Sequence, residues 1–134
     1  KSYTEAKGLI DSNPNLKVIV APTTVGIAAA AQYVTDNGLI GKVIVTGLGL
    51  PSEMAAHVKS GAAPTFALWN PIDLGYAATV IAYNLATGKE TAAAGGELSM
   101  GKLGSVTLDD TLSGPMAPPF TFDAANIDEF SAIY

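Results

Sequence analysis

Short β-branched runs alternate with helical segments through residues 1–88, and this alternation constrains the fold more than any other feature of the chain. Leu16–Ala21 (LKVIVA), Lys42–Thr46 (KVIVT) and Thr65–Trp69 (TFALW) are too short for helices and read as buried strands. Residues 3–12 read as a short helix with Ala6, Leu9 and Ile10 on one face, closed by the turn Asn13-Pro14-Asn15. Thr24–Asn37 reads as a helix with Val25, Ala28, Ala29 and Gln32 along one face and Gly38 at its end. Pro51 opens the next helix, which Gly61 follows. Asn70 caps a longer one with Pro71 in its first turn, Gly88 beyond its end, and Leu74, Ala78, Ile81 and Leu85 as its apolar face. The order α-β-α-β-α-β-α implies an α/β fold: a parallel sheet flanked by helices, with right-handed crossovers.

After Thr91 the pattern changes. Ala92–Gly96 is a stretch of small residues, and Gly101–Leu108 reads as a strand ahead of Asp109-Asp110. Ser113–Pro119 (SGPMAPP) has the chemistry of an extended linker. Phe120–Phe122 reads as a short strand, and Asp123 as the cap of a last helical turn reaching Phe130.

Composition narrows the function. The 134 residues suffice for an ordinary domain with a real core, and 49% are hydrophobic against 14% charged, so the chain is globular rather than disordered. A net charge of -5 leaves no basic patch for nucleic-acid phosphates or an anionic membrane surface, whereas a small neutral ligand is compatible with it. With no Cys there is no disulfide, thiolate nucleophile or Cys metal site. No apolar run reaches the length of a membrane helix. Lys1 already lies inside a helical pattern, and the chain reads as a fragment in which neither a signal peptide nor a DNA-binding head would be visible.

In open parallel sheets ligands bind at the carboxyl ends of the strands. Those places here are Pro22-Thr23-Thr24, Gly47-Leu48-Gly49-Leu50-Pro51 and Trp69-Asn70-Pro71. A sugar offers hydroxyls, which suit Asn and Thr, and an apolar C–H face, which suits an aromatic plane. Trp69 beside Asn70 supplies both, against the plainer reading of Trp69 as core filler and of Asn70 and Thr24 as helix caps. Gly47–Ser52 (GLGLPS) fails the dinucleotide fingerprint at its third glycine, so a close turn before a proline-started helix is the better reading. His57, the one histidine, lies beside Lys59 on a polar face without a spaced partner. Asp109-Asp110 lacks the further carboxylates of a calcium loop and reads as a solvated turn. No catalytic array, metal site or cofactor motif is present, so the chain is expected not to be an enzyme.

Four stretches in this order carry a family resemblance: GLIDSNPNLKVIVAPTTVGIAAAAQYVTDNGL, KVIVTGLGLPSEMAAHVKSG, LWNPIDLGYAATVIAYNLATGK and the tail PPFTFDAANIDEF. Together they resemble the C-terminal portion of type I periplasmic sugar-binding proteins of ABC transporters, the ribose- and galactose-binding group. The tail is similar to that of the subgroup binding rhamnose or autoinducer-2. The resemblance implies an incomplete two-lobed fold. Residues 1–69 would belong to the C-terminal lobe, 70–110 would give a helix and a strand to the N-terminal lobe, and 111–134 would recross the hinge and end in the C-terminal lobe. The apolar face of the helix after Asn70 would then be left without a core to cover it. The resemblance further implies a periplasmic location, a missing N-terminal half forming the other wall of the cleft, a membrane permease as partner, and a small sugar as ligand. Carried over residue by residue, the ligand contacts are Pro22, Thr23, Thr24, Trp69 and Asn70. Many pentose and hexose binders have an Asn-Asp pair where Thr23-Thr24 stands, and loss of that carboxylate favours a less polar ligand such as a 6-deoxy sugar. The ligand-sensing core of a LacI-type repressor shares this fold and is the alternative function, as is an autoinducer-2 receptor.

Overall fold

The computed structural model describes residues 1–133. The chain forms two compact units, one built from Lys1–Leu68 and the tail from Thr121, the other from Trp69–Phe120.

In the first unit the order is α1 (Ser2–Ser12), β1 (Val18–Ala21), α2 (Thr24–Asp36), β2 (Ile44–Gly47), α3 (Pro51–Ser60) and β3 (Phe66–Leu68), completed by β6 (Phe120–Phe122) and α5 (Ile127–Phe130). Strands β1 and β2 are parallel, in register from Val18 opposite Ile44 to Ala21 opposite Gly47. A parallel bridge between Leu48 and Ala67 sets β3 beside β2, and β6 pairs with β3. The core joins Ile19, Val45, Ile27, Val34, Met54, Phe66, Phe122 and Ile127. Phe122 stacks on Phe66 with ring centroids 5.1 Å apart and meets the edge of Phe130 at 5.3 Å. Tyr3 of α1 meets Tyr33 of α2 edge-on at 5.1 Å.

Three details differ from the sequence expectation. Asp123 does not cap α5, which starts after Asn126 without a side-chain cap, and instead accepts from the Ala125 amide in the turn before it. The buried stripe of α2 is Ile27, Ala30, Ala31 and Val34, while Val25 is 75% exposed and Gln32 points to solvent. The i, i+3, i+4, i+7 spacing is as expected but shifted in phase, because an alanine-rich helix gives little contrast between its faces. The strands, expected to be buried on both faces, are covered on one. Ile19, Ala21 and Val45 pack in the core, whereas Val18, Val20 and Ile44 on the other face are 47%, 70% and 42% exposed.

The second unit holds α4 (Pro71–Ala86), β4 (Glu97–Ser99) and β5 (Ser105–Thr107). The last two form an antiparallel hairpin with Leu98 opposite Val106. The strand expected over Gly101–Leu108 is therefore two things: a 3-10 turn at Gly101–Leu103 and, past Gly104, strand β5. Gly101 and Gly104 take φ of 63° and 91°, a region other residues avoid, so extended backbone cannot run through them. A Cβ on Gly101 would also lie 2.4 Å from the Tyr76 hydroxyl, which accepts from the Lys102 amide. Ala77 of α4 packs with Leu98, Met100, Val106 and Leu108. Ile81 is partly buried against that cluster, while Leu74 and Leu85 remain exposed.

Candidate functional site

Because β1, β2 and β3 run parallel, their carboxyl ends share one edge of the first unit. The loops there are tied together by main-chain bonds: the Leu48 amide donates to the Ala21 carbonyl at 3.0 Å, and the Gly49 amide to the Ala67 carbonyl at 3.3 Å. Gly47 permits the close approach. Its φ is 136°, and a Cβ there would sit 1.9 Å from the Ala21 carbonyl oxygen. This explains the glycine by strand packing, in line with the sequence reading of Gly47–Ser52 as a close turn rather than a nucleotide loop.

Pro22 and Thr23 leave β1 exposed on this edge. Thr23 is the N-cap of α2, in extended conformation, and its hydroxyl oxygen accepts from the Gly26 amide at 3.1 Å. The hydroxyl oxygen of Thr24 accepts from the Leu50 amide at 3.2 Å, which fastens the first strand-end loop to the second. Both hydroxyls act as acceptors in these bonds, so each keeps its proton for another partner. No carboxylate lies in Pro22–Thr24 or Gly47–Pro51.

The chain continues from β3 into the second unit through Trp69 and Asn70. The Asn70 side-chain oxygen caps α4, accepting from the amides of Ile72 at 2.9 Å and Asp73 at 3.4 Å. Its amide nitrogen has no acceptor among the described residues. Trp69 is half-buried, and its indole N–H donates to the Ala117 carbonyl. Ala117 was invisible to sequence reasoning, since nothing in the linker SGPMAPP marks one carbonyl as a partner for a residue 48 positions earlier. Thr23 and Asn70 are thus helix caps, and Thr24 a loop tie, each with a donor left over.

His57 and Asp109 are set by their local structure. His57 lies in the last turn of α3, at the far end of that helix from the strand-end edge, and partial burial pushes its pKa below the ordinary value. Asp109 organises a turn. One carboxylate oxygen accepts from the Thr111 hydroxyl and from the amides of Thr111 and Ser113, and these bonds, the hydroxyl foremost, lower its pKa. Among the described residues there is no grouping of three or more His, Asp or Glu able to hold a metal, and no helix is long and apolar enough to cross a membrane.

Comparison with known proteins gives this geometry a context. Residues 1–90 match the family described as periplasmic binding protein domain. The solved structure of a sugar ABC transporter protein from Actinomyces odontolyticus is 43% identical over 96% of this chain, with a TM-score of 0.74. An ABC transporter solute-binding protein from Clostridium phytofermentas, with bound L-rhamnose, is 39% identical over 99% of the chain, with a TM-score of 0.86. LsrB from Clostridium saccharobutylicum, in complex with AI-2, shares the fold at 19% identity over 96% of the chain, with a TM-score of 0.77. The chain spans 41%, 45% and 44% of these three proteins, less than half of each. A parallel sheet whose strand-end loops open helices α2, α3 and α4, matched by a family profile over most of its length and by structural relatives along nearly all of it, places the chain in the periplasmic binding protein family.

Proposed function

We propose that this chain is the C-terminal portion of the solute-binding component of an ABC importer, which takes a small neutral sugar into a cleft between two lobes. Residues 1–69 belong to the C-terminal lobe, 70–110 give a helix and a strand to the N-terminal lobe, and 111–134 recross the hinge and end as the tail of the C-terminal lobe. The observation that carries the reading is the strand-end edge itself. In the first unit it offers the spare protons of Thr23 and Thr24 and no carboxylate in the first two loops, while at the start of the second unit the Asn70 amide is free. These groups donate to sugar hydroxyls or ring oxygens, the carbonyl of Pro22 accepts, and the ring of Trp69 offers an apolar face to C–H groups. Donor-rich first and second strand-end loops without a carboxylate suit a 6-deoxy sugar, and the L-rhamnose bound in the 39% identical relative points the same way.

The reading also assigns partners. An N-terminal half supplies the second wall of the cleft and covers Val18, Val20 and Ile44, which this chain leaves uncovered. A membrane permease receives the ligand, and the protein works in the periplasm without chemistry of its own.

The test is a thermal-shift panel on the full-length protein, L-rhamnose first. A ligand that binds only the native state stabilises it by about 2.7 kcal/mol at a hundredfold excess over its dissociation constant. A shift with rhamnose or a related neutral sugar supports the reading. Flat melting curves across deoxy sugars, aldoses and autoinducer-2 would overturn it.

A further inference from the structure

We propose that Trp69 is a latch, whose indole N–H, held by the Ala117 carbonyl, ties together the two lengths of chain through which residues 69–120 are tethered to the rest of the molecule.

The second unit begins at Trp69 and ends at Phe120, so it is connected twice, once after β3 and once before β6. Pairing of β3 with β6 brings the two connections side by side. Trp69–Ala117 joins them again, one residue beyond β3 and three before β6. The returning segment needs such a tie. Residues 114–119 contain Pro115, Pro118 and Pro119, which carry no backbone N–H. Among the described residues, no main-chain hydrogen bond reaches 114–119, and the Trp69 indole is the one donor that does. Met116, one residue before the latched carbonyl, lies against the apolar cluster of α4 and the hairpin, so the segment is seated by one side chain and fastened by one hydrogen bond.

The latch acts on Asn70. With the indole fixed, the peptide between Trp69 and Asn70 is held where the Asn70 oxygen caps α4, and the amide nitrogen takes no part in that cap. Trp69 is therefore a positioning residue whose N–H is already engaged, and it offers a ligand only the face of its ring. This role goes beyond the sugar reading and does not depend on it, since it concerns the protein without ligand.

In the full-length protein without sugar, the indole N–H resonance that is lost in Trp69→Phe belongs to Trp69, and its hydrogen exchange can be followed by NMR. A net hydrogen bond of ordinary strength slows that exchange roughly two- to tenfold relative to free indole. Trp69→Phe keeps the ring and removes the donor. It is expected to shift the Ala117 carbonyl carbon resonance and to raise protease cleavage at 116–117, leaving residues 1–60 unchanged. An indole exchanging at the free rate, or a Phe variant with the wild-type Ala117 carbonyl shift and wild-type cleavage at 116–117, would overturn the latch. If the variant does not fold, the wild-type indole rate decides alone. A protein with a slow indole that binds no sugar keeps the latch and loses the sugar reading.

Discussion

Asn70 carries two duties through one side chain, and two substitutions separate them. Its oxygen caps a 16-residue helix, with the Ile72 amide at 2.9 Å carrying most of the bond and the Asp73 amide at 3.4 Å adding little. Removing such a cap costs about 1 kcal/mol of helix stability. The unit it serves has a small core of Ala77, Leu98, Met100, Val106 and Leu108, so that loss matters there. Asn70→Ala should destabilise residues 69–120 by this amount and also weaken sugar binding. Asn70→Asp keeps an acceptor at the same place. Its charge gains about 0.3–1 kcal/mol from the helix dipole, reduced by Asp73 in the same first turn. The Asp variant should thus unfold at or near the wild-type urea midpoint while losing the amide donor. A ligand group left unpaired in this way costs about 1–3 kcal/mol, roughly a 5- to 160-fold weaker dissociation constant. Urea titration of each variant and calorimetry of the full-length protein with L-rhamnose read the two effects. Equal stability of Asn70→Ala and wild type would remove the cap, and unchanged affinity in Asn70→Asp would remove the ligand role.

Three further outcomes follow from the packing. Phe122→Ala empties a fully buried position between Phe66 and Phe130 and should cost about 3–5 kcal/mol, seen as a large drop in the unfolding midpoint of the first unit. Gly47→Ala puts a methyl 1.9 Å from the Ala21 carbonyl oxygen and should separate β1 from β2, and a soluble variant with a wild-type melting temperature would refute that geometry. His57 has its pKa lowered by burial, so the unfolded chain takes up its proton first as pH falls. Its contribution to stability is therefore complete above about pH 6.5 and declines below it, through the window down to the folded-state pKa. His57→Gln should flatten that slope in urea midpoints measured between pH 7.5 and 5, and an unchanged slope would place its origin elsewhere.

Much of the first unit was legible because its signals are local. LKVIVA, KVIVT and TFALW have no competing helical period, and Pro51, Asn70-Pro71 and Gly61 mark helix ends by their own backbone chemistry. What failed was information that neighbours supply. Nothing in KVIVA says that Val18 and Val20 lack a cover on one face, since an uncovered valine and a covered one are spelled alike. Strand β4 was hidden because Glu97–Ser99 is only three residues long and its pairing depends on β5, set by a turn whose two glycines were not read as breaks. The three strand-end loops came from topology, which follows from the order of elements. The Thr24–Leu50 tie and the Trp69–Ala117 bond are tertiary facts with no trace in residue spacing.

A neutral sugar held by these strand-end loops would be seen in a crystal structure of the full-length protein with L-rhamnose. Its hydroxyls are expected within hydrogen-bonding distance of the Thr23 or Thr24 hydroxyl and of the Asn70 amide nitrogen, with the Trp69 ring against its C–H face. Clear density for the sugar away from Pro22–Thr24 and Asn70 would contradict it.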